Sequence, residues 1–423
     1  MESMPEVDSA SCGGEPKSLC KTLQEDFAKQ TPKTDKAASS KPEKPILGAR
    51  ELNTLGWSHL ERFRSLGELN DLSEAMKCFA DAVSSTPDGD LDLPEWLTDL
   101  GIAYSDRFQR LEELADQHES IRLITRALDL TPDGHPQMAF RYDSLGVSYG
   151  DRYQRLGELA DLEKAIGCHS RALTSTRDGH PHALHRNDSL GVSYTHRYKR
   201  LGEFSDLEKA IECYSRALEL TPTGHPDMSR RHASLGISYG DRYQHSGELA
   251  DLEKAIQCDS RALTLTPDGH PDKSRQHASL SMSYNHRYKR LDELDDLERA
   301  IECYSCALAL TPDGHPDRPN RWANLGVFYS YRYKRLGELS DLEKVIQCDS
   351  HALQMTPSGH PDISHRYASL GLSYTDRYKR LGELTDLDKA IECASYTDRY
   401  QHLGELPDLE KAIEYHSPID IGV

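Results

Sequence analysis

The residues best placed to do chemistry in this 423-residue chain are arginines that return every 45 residues from Arg62 to Arg377, with a last one, Arg399, after 22. Arg62, Arg107, Arg152, Arg197, Arg242, Arg287, Arg332, Arg377 and Arg399 are each followed by Phe or Tyr. A Glu stands six positions on and an Asp nine, as in Glu158 and Asp161 after Arg152. Stacked guanidinium groups interleaved with aromatic rings could grip an acidic peptide or a nucleic-acid strand. A carboxylate accompanies every arginine, however, and that compensation favours a structural role. Each Arg then pairs with a Glu of its own or an adjacent unit, and each Asp caps a helix.

Histidines give the next candidate. His135, His180, His225, His270, His315 and His360 each precede Pro. One ligand per unit, on the order of 10 Å from the next, cannot close a tetrahedral shell with contacts near 2 Å. These are read as turn residues. The denser His180-Pro-His182-Ala-Leu-His185 has no Cys or acid at a recognised ligand spacing. Cys303-Tyr-Ser-Cys306 lacks both a second pair for a metal and a βαβ context for redox work, so it is read as an incidental substitution. The chain contains no phosphate-binding glycine loop, His-Glu-x-x-His or Gly-x-Ser-x-Gly. It reads as a non-enzyme with no catalytic, cofactor-binding or metal residue.

Lys and Arg number 51 against 70 Asp and Glu, a formal charge of −19. An acidic chain repels phosphates at long range, which disfavours nucleic-acid and anionic-membrane partners. No apolar run approaches the roughly 18 residues that span a bilayer. The opening Met1-Glu-Ser-Met-Pro-Glu lacks the basic flank and apolar stretch of a secretory signal, and a cytoplasmic location is expected.

What must position these residues is a repeat. Leu55, Leu100, Leu145, Leu190, Leu235, Leu280, Leu325 and Leu370 lie 45 residues apart, and seven of the ten cysteines keep the same interval. In the third copy Tyr142, Leu145, Tyr149, Tyr153 and Leu156 form one helical stripe. Leu162, Ala165, Ile166, Ala172 and Leu173 form a second. Gly157 suits the left-handed residue that ends the first helix, and Asp161 suits the N-cap of the second. Thr131 to Pro136 closes the unit, with Gly134 permitting the turn and Pro136 opening the next helix. Such hairpins cannot bury their faces alone, so neighbours must stack into a solenoid. Residues 1–47, rich in Lys, Glu, Ser, Pro and Thr, read as a disordered tail. The array then occupies 48–393. Asp386 to Cys393 runs almost directly into Ser395 to Tyr400, so 394–423 reads as a truncated repeat.

The fourth copy, Leu190-Gly191-x-x-Tyr194 and then Ala210, Tyr214, Ala217 and Pro222, resembles the tetratricopeptide repeat, though the unit is 45 residues against about 34. The surplus is expected in a longer first helix or a longer turn between the helices. The wording Arg-Tyr-x-Arg-Leu-Gly-Glu-Leu-x-Asp-Leu-Glu-Lys-Ala-Ile is similar to arrays of large fungal proteins, which often precede a CHAT domain, a caspase-like protease module. No such module follows before Val423.

The resemblance implies an all-α, right-handed solenoid whose first helices line a concave face, and a scaffold that binds a peptide or protein there. The positions that vary between copies on that face are Asp143, Val147 and Asp151, then Asp188, Val192 and His196. Ala233, Ile237 and Asp241, then Ala278, Met282 and His286 follow. Ala323, Val327 and Tyr331, then Ala368, Leu372 and Asp376 complete them. An apolar strip bordered by His and Asp would suit an extended or helical peptide. The alternative is the sensor arm of a CHAT-type protease system, truncated or acting in trans. Oligomeric state is left open.

Overall fold

The computed structural model describes residues 47–177, 180–357 and 359–403, with side chains up to 398. The expected tail, apart from Leu47, and residues 404–423 of the expected truncated repeat lie outside these. Among the described residues there are sixteen α-helices and no strand.

The helices form eight hairpins. In chain order these are α1 (Ala49–Leu66) with α2 (Leu69–Ser85), α3 (Leu93–Leu111) with α4 (Leu114–Asp129), α5 (Met138–Leu156) with α6 (Leu159–Thr174), and α7 (Ala183–Leu201) with α8 (Phe204–Glu219). Then come α9 (Met228–Ser246) with α10 (Leu249–Leu265), α11 (Lys273–Leu291) with α12 (Leu294–Ala309), α13 (Arg318–Leu336) with α14 (Leu339–Met355), and α15 (Ile363–Leu381) with α16 (Leu384–Leu403). Only two residues, Gly157 and Glu158, separate α5 from α6, so the surplus expected in the first helix or in that turn lies in the long first helices, 19 residues in α5, and not in the turn. The boundary expected after Cys393 falls inside α16, which is continuous from Leu384 to Leu403.

Each first helix packs on its own second helix, and each second helix on the next first helix; α3 with α5, α5 with α7, and α9 with α11 also touch directly. This nearest-neighbour pattern defines a solenoid. Leu190 shows how units join: it packs on Leu162 and Ile166 of the preceding hairpin. Leu235 does the same against Leu207 and Ile211. Leu55 holds that register in α1, where no described hairpin precedes it, and it is exposed. Ala165, Ala210, Ala255 and Ala300 are fully buried where the helices cross closely.

Gly157 ends α5 at φ 70°, in the left-handed conformation expected of it. Two local expectations are corrected. Glu158, not Asp161, is the N-cap of α6, and Asp161 is its third residue. Pro136 lies outside α5, which begins at Met138 after Gln137 as N-cap. The turn consumes Pro136 because His135 N–H already bonds Pro132 O at 3.1 Å, with Gly134 at φ 78° between them.

Candidate functional site

The arginine row is an internal joint. Arg152 donates from Nε to Asp161 Oδ2 at 2.7 Å and from Nη2 to Oδ1 at 2.6 Å. Arg107, Arg197, Arg242, Arg287, Arg332 and Arg377 fork onto the Asp nine residues on in the same way. Arg62 makes a single contact, 3.3 Å to Asp71. The partner is therefore Asp, not the expected Glu. One turn into the second helix, the Asp side chain faces back across the two-residue turn, whereas Glu158 sits exposed at the helix start. The Asp161 carboxylate is 2% exposed, so the fork replaces the water it lost. Each forked guanidinium also covers the ring three residues earlier, as Arg152 does Tyr149 at 5.4 Å.

The His-Pro histidines also act within the turn. Nδ1 of His135, His180, His225, His270, His315 and His360 accepts the backbone N–H two residues on at 3.1–3.2 Å. Among the described residues no three His, Cys, Asp or Glu side chains converge as metal ligands. Cys303 is half-buried and its thiol is pushed up to about 11, chiefly by burial, which keeps it protonated.

Sequence reading missed a column of buried arginines near the start of the first helices: Arg141, Arg186, Arg231, Arg321 and Arg366. Their 45-residue spacing was the available signal, broken once by Gln276. Arg231, fully buried, donates from Nε to Asp188 Oδ2 at 2.7 Å and so ties α9 to α7. Arg141 instead meets the Thr131 hydroxyl at 2.6 Å, and burial lowers its pKa.

The fourteen candidate partner-binding residues all lie on the first helices. Val147, Ile237, Met282, Val327 and Leu372 are exposed apolar side chains in one register, 38% exposed at Val147 and 68% at Leu372, with Val192 half-buried among them. Four of the bordering polar residues, Asp151, His196, His286 and Tyr331, link successive first helices. Asp151 accepts from Gln109 at 3.0 Å and Ser105 at 3.4 Å. His196 lies 5.9 Å from Tyr153, His286 5.9 Å from Tyr243, and Tyr331 6.2 Å from Tyr288. Asp143 meets His169 Nδ1 at 3.0 Å and Asp376 meets Lys379 at 3.5 Å. Asp188 is buried beneath Arg230 and Arg231, so it presents little to solvent.

In the middle of the strip a cleft of about 380 Å³ opens between α9, α11 and α13. Its cause is a change of size. In the fourth hairpin Tyr214 packs against Gly191, where an added Cβ would lie 2.8 Å from the ring, and its hydroxyl lies 3.2 Å from Thr195 Oγ1. In the fifth, Asp259 and Gly240 stand in those two places. Asp259 is 3% exposed; Ser283 donates to Oδ2 at 2.8 Å while Oδ1 has no partner. Burial pushes its carboxyl up to about 7. Asp241, which also lines the cleft, has Oδ2 buried without a partner; burial raises its pKa, opposed by the Lys199 ammonium. Burial lowers the pKa of His286.

These helices and joints make the chain an all-α solenoid of tetratricopeptide-like hairpins. Among solved structures it is similar to the C-terminal part of a TPR repeat-containing protein from Cytophaga hutchinsonii, at 14% identity and TM-score 0.49 over 75% of this chain and 98% of that one. It is also similar to the nearly identical TPR-like repeats of a putative kinesin light chain from Podosopora anserina (17%, TM-score 0.37, 51% and 97%). A third is BtubC (BKLC) from P. vanneervenii (21%, TM-score 0.41, 62% and 96%). No family model matches the chain, and no curated protein matches it. Among the described residues no helix is long and apolar enough to cross a membrane.

Proposed function

We propose that residues 48–393 form a non-enzymatic interaction scaffold that holds a peptide or a segment of a partner protein along the strip of first helices. The observation that carries this reading is the exposed apolar register Val147, Ile237, Met282, Val327 and Leu372. Apolar residues at repeated positions such as Leu190, Ala210 and Ala217 are buried. The other exposed apolar column, from Leu66 and Leu111 to Leu336 and Leu381, ends the first helices at the turn into the second, so the strip is the exposed column along their length. Aligned apolar side chains with polar borders are what an amphipathic or extended peptide docks on. The borders are Asp151, His196, Asp241, His286, Tyr331 and Asp376, each partly accessible.

The test is panning a random dodecapeptide display library on the full chain. Recovered peptides should lose binding to Met282→Glu and Ile237→Glu, which place charge on exposed positions and leave the helical circular dichroism unchanged. Peptides indifferent to both substitutions would refute the strip.

A further inference from the structure

We propose that the cleft between α9, α11 and α13 receives a basic side chain, an arginine guanidinium or lysine ammonium, from the peptide lying on the strip, with Asp241 and Asp259 as its acceptors. This deepens the strip reading and rests on it.

Three observations converge. The first is shape: Gly240 and Asp259 leave open the volume that Thr195 and Tyr214 fill one unit earlier, and Ile237 and Met282 of the strip flank the opening. A side chain leaving a peptide on the strip therefore has a place to enter.

The second is unmet hydrogen bonding. Asp259 is more than nine-tenths buried with Oδ1 unpartnered, and Asp241 Oδ2 is buried without a partner. A buried acceptor left unpaired is costly, and a cationic donor relieves it more than a neutral one does.

The third is charge. The two arginines in the lining are engaged elsewhere. Arg275 is held by Asp272 at 3.0 Å, and Arg321 donates to Ala307 O at 3.1 Å and to the Ser274 hydroxyl. Burial keeps His286 from adding positive charge near neutral pH. Asp259 therefore has no cation against it, and Asp241 feels the Lys199 ammonium of the preceding first helix without forming an ion pair with it, which sets both apart from Asp161, forked by Arg152. An entering guanidinium or ammonium would supply the charge partner and hold Asp259 ionised.

The same dodecapeptide library tests this. Recovered peptides should share an Arg or Lys at a constant offset from their apolar residues. Replacing that residue with norleucine in a synthetic consensus peptide should weaken binding tenfold or more. The combined Asp241→Asn and Asp259→Asn protein should lose the same factor. So should Gly240→Leu, where a new Cβ meets nothing within 4 Å and the side chain plugs the cleft. Circular dichroism should stay unchanged in all of them. Peptides that depend on Met282 but tolerate both the carboxylate and the Gly240 substitutions would overturn the cleft and leave the strip standing. Peptides indifferent to both Met282→Glu and Ile237→Glu, or recovery of none, would overturn both.

Discussion

Asp259 makes the fifth hairpin an acid-stabilised unit. Its carboxyl is raised from an ordinary 3.8 to about 7 by burial, opposed only by the Ser283 hydroxyl. In the unfolded chain the group ionises near 3.8; in the folded chain it stays protonated until about 7. The stability it allows is thus fully present below about pH 4 and is lost as pH rises through 7. Three pH units of mismatch correspond to at most about 4 kcal/mol. Asp259→Asn keeps the shape and the Ser283 contact but cannot ionise. Relative to wild type it should stabilise at pH 8 by about 2–3 kcal/mol, after about 1 kcal/mol for the unpaired amide. At pH 4.5 it should be neutral or slightly destabilising. Repeat arrays unfold piecewise, so a global melt dilutes the effect. Hydrogen exchange of peptides from α9 and α10, comparing variant with wild type at each pH, reads it locally. If the difference between the two proteins were the same at pH 4.5 and pH 8, burial would not be governing this carboxyl.

The arginine joint predicts that Arg152→Ala costs about 3 kcal/mol, because it strands the buried Asp161 carboxylate. Adding Asp161→Ala should recover part of that loss, and additive urea-denaturation energies would contradict the pairing. Glu112 ends α3 at φ 58°, where every other described copy except Asp292 has glycine, so Glu112→Gly should stabilise by about 1 kcal/mol. Its exposed contact with Arg155 at 3.5 Å adds little against this; a fall in the denaturation midpoint would refute the strain. A Cβ at Gly56 would lie 2.6 Å from the Phe79 ring, so Gly56→Ala should cost about 1–3 kcal/mol, checked by the same denaturation.

The period of 45, the paired helices and the buried Leu and Ala columns were legible before any coordinates, because a helical face is written in local spacing and duplication repeats it eight times. Leu190 and Ala210 could be placed in the core from their three- and four-residue neighbours alone. The left-handed end at Gly157 was equally local. Which carboxylate meets Arg152 was not: Glu158 and Asp161 are both within reach along the chain, and the two-residue turn with the helix crossing selects Asp161. Neither the burial of Arg231 against Asp188 nor the raised carboxyl of Asp259 could be read from spacing, since both depend on atoms about 25 to 45 positions away in neighbouring helices. The cleft has the same origin, arising where two small residues, Gly240 and Asp259, stack beside the strip. Local periodicity specifies which face a helix turns inward; desolvation and empty volume belong to the neighbours that face it, and only the packed array brings those together.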